Sequence, residues 1–251
     1  MPDTMLNAHP LLLNDCVLRT DRIDIWRYPL TAENQAVASF LSPSEQIRAK
    51  RFHFPRHQRR FTNAHSGLRL ILARYINDTA RNLAFTEGKQ GKPQLSNVPL
   101  VQFNLSHSGE MALLVIGQQY PIGIDLEYFS ARTYYGIGEH LFSIKENQAL
   151  KKAPPTLTAL VFFNIWVQKE ALIKACGLGL SYPTQQFDVP ILSSDSTEIY
   201  DALHQRTWQM RTFMPQINCC AAVCHDPHIQ TIRYAALTES QLVELAHDSI
   251  K

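Results

Sequence analysis

The sequence predicts an α+β protein made of two α+β halves. Each half contains one main helix, and each surrounds it with several short strands that are mostly linked as hairpins. With 251 residues the chain can bury a large core, as one big domain or two small ones. Its hydrophobic fraction, 45%, is ordinary for a globular protein.

Residues 22–29 read as a strand, with Ile23, Ile25 and Trp26 apolar and Pro29 closing it. Residues 31–41 read as a helix. Ser42-Pro43 opens another, with proline at a first-turn position whose N–H would be unpaired anyway. The strong helix of the first half spans 62–77, where Leu68, Leu70, Ile71, Leu72, Tyr75 and Ile76 form an apolar stripe. A glycine-rich loop follows, Glu87-Gly88-Lys89-Gln90-Gly91-Lys92-Pro93. Strands are expected at 101–105 and 111–117, joined by a loop Ser106-His107-Ser108-Gly109, and a third at 122–128.

The join between halves falls near 118–121, which gives subdomains of 1–118 and 119–251. In the second, 137–142 and 144–151 look helical, and 157–176 is a long helix stopped by Gly177 and Gly179. Short strands are expected around 186–189, 208–213, 218–225 and 229–234, with a closing helix at 239–246. An interface between two such halves is a common place for a ligand cleft.

No apolar run approaches the roughly 18–20 residues of a membrane helix. Leu11-Leu12-Leu13 has no basic residue before it, so no secretory signal is expected and the cytoplasm is the default. Cys219, Cys220 and Cys224 lie in a small apolar run without paired metal-ligand spacing, and read as a buried strand. Reduced thiols fit the same compartment.

The net charge, +2, does not call for nucleic acid. The charge is uneven, however. Arg48, Lys50, Arg51, Arg56, Arg59 and Arg60, with His53 and His57, fall in a stretch that has no acid of its own. Such a run suits a nucleotide, an acidic protein or RNA, or is simply a solvated helix face.

Two stretches point to chemistry. In Ile122-Gly123-Ile124-Asp125-Leu126-Glu127 the alternate face carries Gly123, Asp125 and Glu127. Its two carboxylates are ~7 Å apart by the strand rise. Oxygen-only ligands suit Mg²⁺, which takes one or two carboxylates plus substrate phosphates; two solvated acids are the alternative. In Trp166-Val167-Gln168-Lys169-Glu170-Ala171-Leu172-Ile173-Lys174, Glu170 and Lys174 are one turn apart on an otherwise apolar helix. They either face a cleft or form an exposed helical ion pair. His107 in its loop either meets a phosphate or caps a turn. Gly91-Lys92-Pro93 combines close backbone approach, a charge and a stiff exit, but is no P-loop.

Taken together, these segments resemble the 4′-phosphopantetheinyl transferases of the surfactin-synthetase-activating type. The matching pieces, in order, are Phe40-Leu41-Ser42-Pro43, the basic helix start, Gly91-Lys92-Pro93, Phe103-Asn104-Leu105-Ser106-His107-Ser108-Gly109, Pro121 to Glu127, Leu141-Phe142-Ser143-Ile144-Lys145-Glu146, and Trp166 to Lys174 with Gly177-Leu178-Gly179-Leu180. They run from about residue 40 to 190.

The resemblance implies two similar subdomains in a pseudo-twofold arrangement, with the active site in the cleft between them. Residues 1–118 would form the nucleotide side, and 119–251 would carry the metal and the catalytic helix. It implies transfer of the phosphopantetheine arm of coenzyme A to a serine of an apo acyl or peptidyl carrier protein, giving 3′,5′-ADP, with Mg²⁺ required. Asp125, Glu127 and Glu170 would hold the metal, and Lys174 would neutralise the phosphates. Arg48, Arg60, Gly91, Lys92, Pro93, Ser106 and His107 would line the nucleotide, with Arg60 and His107 near the 3′-phosphate. Glu170 is the candidate base, and Glu146 a second, matching a family acid near the metal. The carrier would belong to a fatty-acid, polyketide, nonribosomal-peptide or siderophore synthase. No nucleic-acid or membrane partner is expected, and the two-halved length implies a monomer. Two departures from the family pattern are Val167, where a hydroxyl or Cys is usual, and Glu45, where some relatives carry a nucleotide-facing Lys.

Overall fold

In the computed structural model of the chain, residues 8–33, 35–88, 91–131, 134–192 and 196–249 are described. The strands are β1 (His9–Pro10), β2 (Arg22–Pro29), β3 (Phe85–Glu87), β4 (Pro93–Leu95), β5 (Val101–Ser108), β6 (Met111–Gln118), β7 (Ile122–Tyr128), β8 (Thr197–Asp201), β9 (Arg206–Gln216), β10 (Cys219–His225) and β11 (Thr231–Ala236). The helices are α1 (Gln35–Ala38), α2 (Pro43–Lys50), α3 (Pro55–Ile76), α4 (Tyr134–Leu141), α5 (Ile144–Lys152), α6 (Thr158–Cys176) and α7 (Glu239–Asp248). The fold is α+β, and none of the described helices is long and apolar enough to cross a membrane.

Two sheets face each other. One has the order β1-β11-β2-β6-β5, the other β7-β10-β9-β8, and β3 pairs with β4 as a separate ribbon. The central strands β6 and β10 are buried on both faces, which is why they read as continuous apolar runs and not as alternating strands. In β6, Ala112, Leu114 and Ile116 share one core with Leu68 and Leu72 of α3 and Leu245 of α7, while Met111, Leu113 and Val115 belong to the core between the sheets. In β10, Cys220, Ala222 and Cys224 meet α6 through Phe162 and Leu172, while Cys219, Ala221 and Val223 face the first sheet. The result is four layers: helices, sheet, sheet, helix. A helix apolar all round, such as α6, belongs in such an interior.

Helix boundaries follow local chemistry. Ser42 and Glu45 form a capping box at α2, as do Ser143 and Glu146 at α5 and Thr238 and Gln241 at α7. Left-handed Gly177, with φ 69°, ends α6 where the sequence predicts a stop.

Several expectations need correction. Among the described residues of the expected 31–41 helix only 35–38 are helical, and α3 begins at Pro55, a turn or more before residue 62. Proline at its first turn nucleates the helix through the basic run. Ser106, His107 and Ser108 are not loop residues: β5 continues through Ser108 and turns at Gly109, whose φ is 56°. Residues 186–189 form no strand. At the C-terminal end, β11 pairs in parallel with β2 and α7 packs on α1 and α3. Ile232 completes the interior between the sheets, and Leu242 and Leu245 complete the helical layer of the first half.

Candidate active site

The site forms where β5 and β7, the facing edge strands of the two sheets, meet α6. Gly123 decides how close α6 comes. A Cβ at residue 123 would lie 2.1 Å from the Ala171 carbonyl oxygen and 2.4 Å from the Ala175 nitrogen, so only glycine lets the helix backbone rest on β7. That contact sets Glu170 and Lys174, one turn apart on α6, beside Asp125 on β7.

Lys174 Nζ lies 2.6 Å from Asp125 Oδ1 and donates to Ser106 Oγ at 3.0 Å. Ser106 in turn donates to Asp125 Oδ1 at 2.9 Å. Asp125 is 5% exposed, and its Oδ2 is buried without a hydrogen-bond partner. Burial raises the pKa of Glu170; the charges of Asp125 and Glu127 raise it further, and Lys174 opposes them. Three carboxylates thus share one field, and Glu127 accepts from Ser108 Oγ at 2.9 Å. An oxygen-only donor set with one orphaned carboxylate oxygen fits a small hard cation such as Mg²⁺.

Beside this cluster is a cleft of about 250 Å³, lined by Gly91, Lys92, Pro93, Asn104, Glu170, Ile173, Lys174, Gly177 and Gly179. Lys92 Nζ donates to the Ile122 carbonyl at 2.8 Å, and burial lowers its pKa to about 8. Gly91, with φ 81°, has open space where a Cβ would be. Lys92 and Pro93 therefore reach the cleft from the same turn.

His107 is exposed at the end of β5. The protein packed around it, then the charges of His65, Lys174 and Arg60, lower its pKa. Arg60 approaches the same corner but is held by Glu110: its Nη2 lies 2.8 Å from Glu110 Oε1. Arg59 reaches the same oxygen at 3.0 Å and Glu33 at 3.5 Å. The basic run, acid-free in sequence, is thus partly compensated in space by acids from other segments. Arg48 is exposed, with its guanidinium 5.3 Å from the Phe61 ring centroid. Glu45 closes the α2 cap and binds Arg69 at 2.8 Å and His65 at 3.1 Å. Burial acts to raise its pKa, but the hydrogen bonds of His65 and Ser42 and the charge of Arg69 hold it at about 2. Val167 is fully buried in the core of the second half.

One expected member is not in the cluster. Glu146 is fully buried, and both its oxygens are taken. Oε2 accepts from the Ser143 amide at 2.8 Å and from Lys169 at 2.9 Å, and Oε1 accepts from the Val189 amide at 2.7 Å. Lys169 also donates to the Thr184 and Phe187 carbonyls. Glu146 is therefore a buried cap and ion-pair partner that does not line the cleft, and the expectation of a second base is corrected. The sequence reading also missed Glu110, Asn104 and Ser108. The polar period of Asn104, Ser106 and Ser108 within apolar β5 is the signal that finds the last two.

Residues 121–226 match the family described as the 4'-phosphopantetheinyl transferase superfamily, and residues 25–119 match the family described as 4'-phosphopantetheinyl transferase, N-terminal. The chain is 32% identical over 213 residues to the 4'-phosphopantetheinyl transferase HetI of Nostoc sp., covering 82% of this chain and 88% of that one. It is 30% identical over 157 residues to the 4'-phosphopantetheinyl transferase Sfp of Bacillus subtilis, covering 62% and 69%. It is 28% identical over 186 residues to the L-aminoadipate-semialdehyde dehydrogenase-phosphopantetheinyl transferase of Mus musculus, covering 68% and 60%.

Proposed function

From the premise that the chain belongs to the 4′-phosphopantetheinyl transferase superfamily, we propose that the cleft beside Gly91, Lys92 and Pro93 holds coenzyme A. In this reading Asp125, Glu127 and Glu170 hold Mg²⁺ against its pyrophosphate. The superfamily's enzymes move the 4′-phosphopantetheine group of coenzyme A onto a serine of a carrier protein, and this chain is such a transferase. The observation that carries the assignment of roles is the single cluster of Lys174, Asp125 and Ser106, with Glu170 in the same field.

Each side chain then has a task. Lys174 and Lys92 bring positive charge to the pyrophosphate from two sides of the cleft, lowering the energy of a transition state that spreads charge over phosphate oxygens. Ser106 fixes Asp125 and Lys174 relative to each other. Glu170, one turn before Lys174 and lining the same cleft, takes the proton of the incoming serine hydroxyl. Mg²⁺ held by Asp125, Glu127 and Glu170 would add charge neutralisation on the pyrophosphate. Arg60 and His107 meet the 3′-phosphate, Arg48 lies at the outer edge of that site, and the backbone from Gly91 to Pro93 lies against the adenine. Residues 1–118 supply the nucleotide side, and 119–251 supply the carboxylates and the catalytic helix.

The order of the motifs along one chain favours the surfactin-synthetase-activating type. Both halves of the site come from this single chain, so it acts as a monomer. All five cysteines are free thiols, which suits the cytoplasm. An apo acyl or peptidyl carrier protein docks across the basic run of α2 and α3 and the exposed apolar side chains of the second half, among them Ile144, 80% exposed, and Leu157.

Glu170→Gln tests the assignment of the base. Transfer to an apo carrier at saturating coenzyme A should fall by on the order of 10²–10⁴-fold, while calorimetry still detects coenzyme A binding. An unchanged transfer rate removes Glu170 from this role.

A further inference from the structure

β5 and β7 lie side by side at the edges of different sheets, and no backbone ladder joins them among the described residues. They are joined by side chains. Asn104, Ser106 and Ser108 project from one face of β5 at a period of two, while Phe103 and Leu105 turn to the core of the first half. Asn104 Oδ1 accepts the Ile124 amide at 2.8 Å, Ser106 Oγ donates to Asp125 at 2.9 Å, and Ser108 Oγ donates to Glu127 Oε2 at 2.9 Å. Ser108 Oγ also accepts the Tyr128 amide at 3.2 Å. Three polar side chains at alternate positions of one strand thus bind four residues of the other, Ile124, Asp125, Glu127 and Tyr128.

We propose that Ser108 is a positioning residue for Glu127, the last rung of this seam. A serine hydroxyl has one proton and two lone pairs. With the Tyr128 amide donating into Oγ, the hydroxyl proton is left for the carboxylate, and the bond points one way. The Glu127 side chain is thereby held at its far end as well as through its own strand. A carboxylate so fixed does not have to be ordered when it takes up a ligand, so Ser108 acts through Glu127 and not on substrate. The same seam keeps Glu127 in register with Asp125, because Ser106 and Ser108 are set by one strand.

This inference rests on Glu127 being a metal ligand in the reading above, and the test separates the two. Mn²⁺ serves as the probe, with free ion measured by electron paramagnetic resonance in the presence of coenzyme A and no carrier protein. Ser108→Ala should weaken Mn²⁺ binding on the order of tenfold, and Ser108→Thr, which restores the hydroxyl, should bind like wild type. In a Glu127→Gln background, Ser108→Ala should cause little further loss, because its partner charge is gone. Thermal unfolding in EDTA accompanies each variant to show that it is folded. Equal affinity of Ser108→Ala and wild type overturns the role of Ser108 alone. So does an equal loss in the Glu127→Gln background, which marks a general structural effect. Wild-type protein that binds no Mn²⁺ overturns the metal assignment and the Ser108 role with it.

Discussion

Gly123 and Ala171 touch where β7 meets α6: a Cβ on the glycine would sit 2.1 Å from the alanine's carbonyl oxygen. The contact is backbone on backbone, so neither side can yield by turning a side chain. It sets how far Glu170 and Lys174 stand from Asp125. Gly123→Ala should therefore destabilise the protein by about 3 kcal/mol, the upper part of the usual range for overpacking. It should also lower coenzyme A affinity in the fraction that folds. Urea unfolding and calorimetry check the two effects. A stable variant with normal affinity would mean that α6 can shift without consequence for the site.

The buried pair of Glu146 and Lys169 should behave as structure. Glu146→Gln leaves the Lys169 ammonium buried without its carboxylate, and should cost about 3 kcal/mol or more of stability. The folded fraction should keep its transfer rate. Denaturation combined with active-site titration separates these quantities. A large loss of turnover in a fully stable variant would return Glu146 to the chemistry.

Lys92 gives the stability a specific pH dependence. Burial holds its folded-state pKa at about 8, against an ordinary value of 10.5. Between these values the unfolded chain keeps the proton and the folded chain has lost it, so the stability contribution of this group rises with pH across that window. Below pH 8 both states are protonated, and the cost of burying the ammonium is fully present. Wild type should thus gain stability on Lys92→Met as pH rises from 8 to 10.5, measured by urea unfolding at each pH. Phosphates entering the cleft should raise the Lys92 pKa, so coenzyme A binding above pH 8 should take up a proton, visible as a buffer-dependent binding enthalpy. A binding enthalpy independent of buffer would place the phosphates away from Lys92.

Arg60 is tied to Glu110 and stands in the corner of His107. Arg60→Ala should weaken coenzyme A on the order of tenfold, the worth of one charge-assisted hydrogen bond, and weaken dephospho-coenzyme A much less. Equal losses for the two ligands, measured by calorimetry, would remove Arg60 from the 3′-phosphate.

Much of this arrangement is legible in the sequence because local chemistry dictates it. The alternation in β7 places Asp125 and Glu127 on one face, the apolar run of α6 buries that helix, and Gly177 stops it. What is not legible depends on distant partners. Nothing near Glu146 announces that Lys169, one turn before the end of its own motif, will consume its charge. The acid that answers Arg59 and Arg60 comes from the turn after β5, about fifty residues away. The return of β11 to β2 joins the chain's last strand to one of its first, a pairing that no local pattern encodes. Ser106 and His107 look like loop residues because polar residues next to glycine usually are. They are strand residues because the ladder with β6 continues to the pair Ser108 and Met111 before the chain turns at Gly109.

In the proposed reading, this cleft transfers phosphopantetheine with the help of a metal held by Asp125, Glu127 and Glu170. The most direct measurement is the intact mass of several apo carrier proteins after incubation with the enzyme, coenzyme A and Mg²⁺, with and without EDTA. At least one carrier should gain one phosphopantetheine group, and the gain should be lost with EDTA and in Asp125→Asn. A gain that survives EDTA and Asp125→Asn alike would contradict the metal site, and no gain on any carrier by a protein that still binds coenzyme A would contradict the transfer itself.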